Sequence, residues 1–402
     1  MGDVLFLAHR VPYPPDRGDK IRSFHLLKHI ARHARVHLIA FADDDADLGH
    51  DDALAPFTAT RTIVHRSIGK GRAMLAALAS GKPASLTAFA SHGVADSVRA
   101  VLAAHQVETI FVFSGQMAQY LTDDFAGRVV MDFVDMDSAK FAAYAEDARG
   151  PMRWLMRREA RLLGGFEHQV AARADASLFV SAAEADLFRA GGAAGTVIAV
   201  ENGIDTTRFD PIAPFVSVDE PGPLIVFTGQ MDYRPNIDAV DRFARRILPL
   251  VRESMPQARF AIVGRKPDAR VAALAALPGV IVTGAVADVR GWLAAATVAV
   301  APLTLARGVQ NKVLEAMAMA RPVVASPAAA EGIDHAGTIR VADGAPAFAA
   351  AVIELIGDPI TAATLGRQAR ARTIERYGWD ARLAALDPLM GFADRASTRS
   401  AA

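Results

Sequence analysis

Short apolar runs alternate along this chain with longer stretches in which apolar residues recur every three to four positions. Val4–Ala8, Val36–Phe41, Thr109–Phe113, Val129–Val134, Ser177–Ser181 and Val197–Val200 are runs of strand length. Helical spacing lies between most of them, as at Ile21, Phe24, Leu27 and Ile30. Strand alternating with helix predicts a largely parallel sheet covered on both faces. A second series opens with a strand at Leu224–Gly229 and a helix over Asp238–Val251. It continues through strands at Arg259–Gly264, Val280–Thr283 and Thr297–Pro302, a short helix at Lys312–Ala320, and a strand at Pro322–Ser326. Between the two series the texture changes to turns and prolines: Asn202-Gly203, Asp210-Pro211, Pro214 and Pro221-Gly222-Pro223. We therefore expect an α/β protein of two doubly wound, Rossmann-like domains. The expected parts are a first domain over 1–205, a linker over 206–223, a second domain over 224–360, helices over 361–390 crossing back to the first domain, and a disordered tail over 391–402. Ligands of such sheets bind beyond the carboxyl ends of the strands, so two units facing each other would share one cleft.

A length of 402 residues suits two domains. The 44 basic and 44 acidic residues cancel, which gives no argument for nucleic-acid binding, and none is expected. With no cysteine, disulfides, Cys-ligated zinc and thiol nucleophiles are excluded. Val4–Ala8 is too short for a membrane span, and no later run reaches roughly 18 uncharged apolar residues, so no transmembrane helix is expected. A cytoplasmic protein, with peripheral contact at the inner membrane as an option, is the matching expectation.

The longest motif is Lys312-Val313-Leu314-Glu315-Ala316-Met317-Ala318-Met319-Ala320-Arg321-Pro322-Val323-Val324-Ala325. It resembles the donor-site helix and following strand of GT-B glycosyltransferases, particularly glycosyltransferase family 4. Val200-Glu201-Asn202-Gly203-Ile204-Asp205 with Arg208-Phe209-Asp210-Pro211 is similar to that family's interdomain connector, Phe260–Arg265 to its second C-domain strand, and Val300-Ala301-Pro302 to the strand exit before the donor loop. His9–Phe24, Asp132–Tyr144 and Phe227–Asn236 resemble a narrower bacterial subgroup, the sugar transferases associated with PEP-CTERM/exosortase exopolysaccharide systems. The resemblance implies a retaining, metal-independent transfer from a nucleotide-sugar donor, UDP- or GDP-linked, to a glycan or lipid-linked acceptor, with no cofactor. The nucleotide would sit on the second domain and the acceptor on the first.

A diphosphate needs positive partial charge, and a helix N-terminus supplies it. Arg307-Gly308-Val309-Gln310-Asn311-Lys312 opens the donor helix. Gly308 would admit the phosphates, with Val309 and Asn311 beside it, while Lys312 and Arg307 would add charge. Glu315, one turn further in, can accept hydrogen bonds from ribose hydroxyls, the role the resemblance assigns to it. Gly229, Gly284 and Ala285 are the further donor-side candidates, the last two for backbone recognition of the base. The family pattern has two glutamates with seven residues between them; Glu315 matches the second, and Arg307 stands in place of the first. Relatives also carry an Arg and a Lys after the first C-domain strand, where this chain has Gln230 and Pro235. Leaving-group charge then falls to Arg265, Lys312 and Arg307, with Arg234 a further option. In the first domain, Arg17, Gly18 and Asp19 form the loop that relatives place near donor phosphate and acceptor. Asp19 is read either as an acceptor-binding or basic group or as a helix N-cap. Asp135 falls where relatives place a polar active-site residue.

Other patterns are read blandly. His25, His29 and His33 share a helix face but offer no full zinc ligand set. Asp43–Gly49 misses the calcium-loop spacing, and Asp135-Met136-Asp137 is a DxD without the context of a metal-dependent GT-A transferase. Met152–Arg158 is basic and amphipathic, and could graze an anionic membrane; packing of its apolar side is the expectation. Rival readings are a nucleotide-sugar epimerase of similar fold, a non-catalytic nucleotide-binding subunit, and an NAD-dependent dehydrogenase. The last lacks the expected G-x-G-x-x-G at Ala8–Val11 or Gly229–Met231.

Overall fold

A computed structural model of the chain describes residues 2–15, 17–306 and 309–392, with Lys70 described for its backbone only. Two compact units form. One comprises residues up to Asn202 together with the segment from Arg382; the other is Gly203–Ala381.

The first unit holds β1 (Asp3–Ala8), β2 (Val36–Ala42), β3 (Thr60–His65), β4 (Val107–Phe113), β5 (Arg128–Val134), β6 (Ala176–Phe179) and β7 (Val197–Ala199). Their order across the sheet is β3-β2-β1-β4-β5-β6-β7, every pairing parallel. The second unit holds β8 (Leu224–Thr228), β9 (Arg259–Val263), β10 (Val280–Gly284), β11 (Val298–Ala301), β12 (Val323–Ala325) and β13 (Arg340–Val341). Its order is β10-β9-β8-β11-β12-β13, again all parallel. Both are doubly wound sheets that reverse direction once. The reversal between β1 and β4, and between β8 and β11, leaves a crevice beyond the carboxyl ends of those strands. Residues such as Leu5, Leu7, Ile110, Phe227 and Phe260 are fully buried, because helices cover both faces of each sheet.

Two strands were not visible as apolar runs. β3 reads Thr-Arg-Thr-Ile-Val-His and lies half-exposed at the sheet edge, while β13 has only two residues. The helix expected as one piece over Asp238–Val251 is Arg234–Arg242, a widened π turn at Phe243–Ile247, and Leu248–Ser254. Pro249 has no N–H to give and crowds the carbonyl four residues back, so the helix widens before it.

The turn-rich connector is packed rather than free. Ile204 and Phe209 join the second unit's core. Ile204 N–H donates to the Tyr377 carbonyl at 2.7 Å, and a Cβ on Gly203 would fall 2.7 Å from Trp379 Cα. Arg370, on the helix Pro359–Tyr377, donates to the Phe209 carbonyl at 2.9 Å and pairs with Asp210 at 2.8 Å. That helix lies on the helix Asn311–Ala318. The C-terminal return to the first unit begins at Arg382, which pairs with Glu201 at 2.8 Å. Asp387 accepts from His29 at 2.7 Å, and Arg128 donates to the Leu389 carbonyl at 2.9 Å. The expected disorder does not extend to Gly391 and Phe392: the Phe392 ring is buried and stacks on His33 at 4.9 Å. Residues 393–402 of that expected tail lie outside the described residues.

Candidate donor and acceptor sites

In the second unit the functional side chains converge where β8 and β9 end and the helix Asn311–Ala318 begins. This helix buries Val313, Leu314, Ala316, Met317 and Ala318, which fixes the orientation of its remaining face. The Gln310 side chain at its N-cap makes no capping hydrogen bond to the first turn. Lys312 Nζ donates to Asn236 Oδ1 at 2.5 Å and stands 4.6 Å from the Phe227 ring centroid. Asn236 is itself held by donating to the Gln230 carbonyl at 2.8 Å. Gly229 has to be small here, since a Cβ would fall 2.8 Å from Asn236 Nδ2. Gly264 has to be small as well: a Cβ would fall 1.7 Å from the Gly229 carbonyl oxygen. The Arg265 side chain is exposed at the end of β9, and turning the Gln230 amide oxygen toward it gives a 3.0 Å hydrogen bond from Arg265 Nε.

Glu315 lies one turn into the same helix and is half-buried. Among the described residues its carboxylate has no hydrogen-bond partner or ion pair. Desolvation pushes its pKa up to about 7, against the pull of Lys312 and Arg208. Burial brings the Lys312 ammonium down to about 8, with Glu315 opposing. Perturbed carboxylate and ammonium groups of this kind collect at functional sites, which makes the start of this helix a candidate ligand site.

Not every expected donor residue joins this group. Arg307 and Gly308 lie outside the described residues. Val309 packs against the core, and Asn311 is exposed at the first turn. Gly284 ends β10 at φ 67°, with Ala285 exposed beside it, but β10 is the sheet edge, two strands from β8. Arg234 points to solvent and pairs with Asp238 at 3.7 Å, so it is a surface cation. Asn236 and Arg208 are the residues the sequence reading missed. Asn236 follows Pro235, the departure from the family pattern, and that neighbourhood was the available signal.

The first unit carries its own pocket, about 270 Å³, beyond β1, β4 and β5 at the sheet reversal. His9, Arg10, Asp19, Ser114, Gln116, Asp135, Asp137 and Lys140 supply its polar lining. Two rim residues, Ser114 at φ 78° and Val134 at φ 70°, hold left-handed backbone that a branched residue such as valine resists. Such strain collects at functional sites. Gln116 donates to Asp137 at 3.0 Å. Burial raises the Asp137 pKa, with Lys140 and Gln116 opposing. Burial also lowers that of His9, whose Nδ1 is buried and has no hydrogen-bond partner among the described residues.

Asp19 requires a correction. The helix Gly18–Ala31 is N-capped at Arg17, so Asp19 is not the cap but sits in the first turn. Arg10 donates to it at 2.6 Å, His9 Nε2 lies 3.4 Å away and Arg17 Nε 3.2 Å. Burial alone would raise its pKa, but His9 and Arg10 outweigh burial and hold it far below the usual carboxylate range. A carboxylate so held is a weak base; it can order Arg10 and His9 and accept from a ligand hydroxyl. Gly18 has open space around it, so nothing in its packing demands glycine. Asp135 lines the pocket. Asp132 lies within β5, fully buried against Arg22 at 2.9 Å, and Arg22 also donates to the Val200 carbonyl at 2.7 Å. Asp132 is therefore structural. The Asp43 loop is likewise structural: Asp44 caps the helix Asp45–Leu48, and Asp47 pairs with Lys20 at 2.6 Å. Of the histidine stripe, His29 and His33 meet Asp387, where they tie down the C-terminal segment.

Residues 222–358 match the family model for glycosyl transferases group 1. A comparison with curated proteins finds no match. Among solved structures, sucrose-phosphate synthase from Thermosynechococcus elongatus is 17% identical, with TM-score 0.59 over 98% of this chain and 100% of that one. Anabaena HepE in complex with UDP is 16% identical, with TM-score 0.58 over 100% of both chains. A glycosyltransferase from Rickettsia africae is 12% identical, with TM-score 0.61 over 98% of both. The chain therefore has the GT-B fold of two Rossmann-like domains, and its second unit carries the match to glycosyl transferases group 1.

Proposed function

We propose that the protein is a retaining, metal-independent glycosyltransferase that moves a hexose from a nucleotide-diphosphate sugar to a glycan or lipid-linked acceptor. Within that reading it belongs to glycosyltransferase family 4 and to bacterial exopolysaccharide biosynthesis, and works at the cytoplasmic face of the inner membrane. The observation that carries the donor half is Glu315: a half-buried carboxylate without a partner among the described residues, one turn above Lys312, at the sheet reversal where nucleotides bind. The diphosphate lies against the first turn of that helix. Lys312, Arg265 and Arg307 neutralise the charge that develops on the leaving group. Glu315 accepts from the ribose hydroxyls, which supply hydrogen bonds to its ionised form. HepE has also been solved with UDP-glucose, which makes UDP-glucose the first donor to try.

The acceptor half rests on the pocket of the first unit. Its polar lining suits a hydroxyl-rich ligand, with Asp19 and Asp135 as acceptors and Arg10 and Lys140 as donors. The test is calorimetry with UDP and GDP, followed by donor hydrolysis or transfer by the purified protein. Binding of one nucleotide that falls about 10- to 100-fold in Glu315→Ala supports the site. Equal, weak binding of every nucleotide by both proteins removes it. Conversion of the donor sugar without release of nucleotide would indicate an epimerase instead.

A further inference from the structure

Two segments of the first unit gather charge of one sign in a chain whose total charge is zero. Residues 66–95 contain Arg66, Lys70, Arg72 and Lys82 and no Asp or Glu. Residues 148–158 contain Arg149, Arg153, Arg157 and Arg158 and no Asp or Glu. The fold sets these segments side by side. The helix Gly150–Arg173 reaches the C-terminal end of the helix Lys70–Ser80 through Arg158, which donates to the Ala77 carbonyl at 2.7 Å and the Lys82 carbonyl at 3.2 Å. Glu159, the next residue, is buried and accepts from the Ala84 and Ser85 N–H groups at 2.8 and 2.9 Å. Arg158 thus ties the long helix to the end of the helix Lys70–Ser80, and Glu159 ties it to the short helix Ala84–Thr87 that follows.

Several apolar residues of the helices Lys70–Ser80 and Gly150–Arg173 face outward. Leu75 is 70% exposed, Leu78 48%, Met152 53% and Trp154 60%. This corrects the expectation that the apolar side of Met152–Arg158 packs inward: Leu155 and Met156 are half-buried, but Met152 and the tryptophan are not. Trp154 shares its helix face with Arg157 and Arg161, three and seven positions on, and both are exposed. Leu75 shares its face with exposed Arg72. Glu146 and Asp147 are the exposed acids nearest in sequence, at the end of the preceding helix Asp137–Asp147. An exposed indole and leucines ringed by arginine suit the boundary between headgroup and acyl chain of an anionic bilayer. The apolar tips would enter the acyl layer, and each cation would meet a lipid phosphate.

We infer that the face formed by the helices Lys70–Ser80 and Gly150–Arg173 docks on a membrane of anionic lipid. This deepens the lipid-linked acceptor reading by naming the surface that brings the protein to that acceptor, yet it is testable without any sugar donor. The experiment is co-sedimentation of the full chain with vesicles of phosphatidylcholine alone and with about a third phosphatidylglycerol, at low and high salt. Three proteins are compared: wild type, Leu75→Ser/Trp154→Ser, and Arg72→Ala/Arg149→Ala/Arg157→Ala. All substituted side chains are exposed, and circular dichroism checks that each variant folds. The expected result is binding to the anionic vesicles only, weakened by salt. Binding should fall about fivefold per cation removed. It should fall at least tenfold in the apolar variant. Wild type that ignores anionic vesicles overturns the proposal, as does binding that both variants retain in full. Self-association lost in the apolar variant, with no vesicle binding, overturns it in favour of a second copy of the chain. Nucleotide binding measured on the same three proteins should be equal. Loss of membrane binding with UDP affinity intact keeps this proposal separate from the donor-site reading, which stands or falls on Glu315.

Discussion

At the scale of single residues, Glu315 and Lys312 set the pH behaviour. Desolvation raises the Glu315 pKa to about 7, above its ordinary value near 4.5. Between those two values the unfolded chain releases this proton while the folded chain keeps it, so its contribution to stability falls as pH rises through the window. Glu315→Gln abolishes that slope. At pH 8 the variant should melt higher than wild type, by about 2–4 °C for each kcal/mol recovered, while losing nucleotide affinity; thermal melts at pH 5 and pH 8 check it. Lys312 titrates near 8 for the same reason with opposite sign: burial disfavours its charge. If Glu315 must be ionised and Lys312 protonated to hold a nucleoside diphosphate, affinity should peak between about pH 7 and 8 and decline on both sides. Calorimetry across pH 6 to 9 reads this, and a flat profile would separate the pair from binding. Sequence reading located both residues from the length of the surrounding motif. It did not single out Asn236, although the departure at Pro235 lies beside it, because the asparagine's partner is a lysine 76 positions away.

At the scale of elements, the two glycines at the ends of β8 and β9 decide whether the donor loops can meet. Gly264→Ala would force a methyl group into the Gly229 carbonyl, which neither backbone can vacate cheaply. We expect a loss of about 3 kcal/mol, visible as a lower denaturation midpoint, together with weaker nucleotide binding. The buried pair Arg22–Asp132 gives a second prediction. Removing one partner, as in Asp132→Ala, leaves an uncompensated charge in the interior and should cost about 3–5 kcal/mol by urea unfolding, whereas replacing both with apolar residues should cost far less. Most strands were legible because each is a short buried apolar run between helical stretches. β3 was not, since this edge strand, half in solvent, carries only two apolar residues, Ile63 and Val64, flanked by threonine, arginine and histidine. The break in the helix after Arg242 was not legible either: Pro249 announces a disturbance, but its form, a widened turn, depends on packing of Phe243 and Ile247. The acceptor-side pocket was legible only in Asp19 and Asp135. His9, just past β1, and Gln116, in the short helix after β4, were not singled out as site residues.

At the scale of the whole molecule, each unit closes its own sheet, and the second is continuous in sequence while the first is not. A protein cut to residues 203–381 should therefore fold and bind nucleotide, as measured by calorimetry and amide exchange. A protein ending at 381 should keep that ability but show a weakened first unit, because His29, His33 and Arg128 lose the partners that the final segment supplies. The two ends of the second unit are also stitched together, Ile204 bridging to Gly378 and Gly203 packed beneath Trp379. This has a consequence for biosynthesis. A ribosome delivers the first sheet early, yet the residues that seal it follow only after an entire intervening body has been made. The nascent first half must wait, unsealed, for a closing strip of about ten residues, and pulse-labelled chains should acquire full protease resistance in that half only once that strip has emerged.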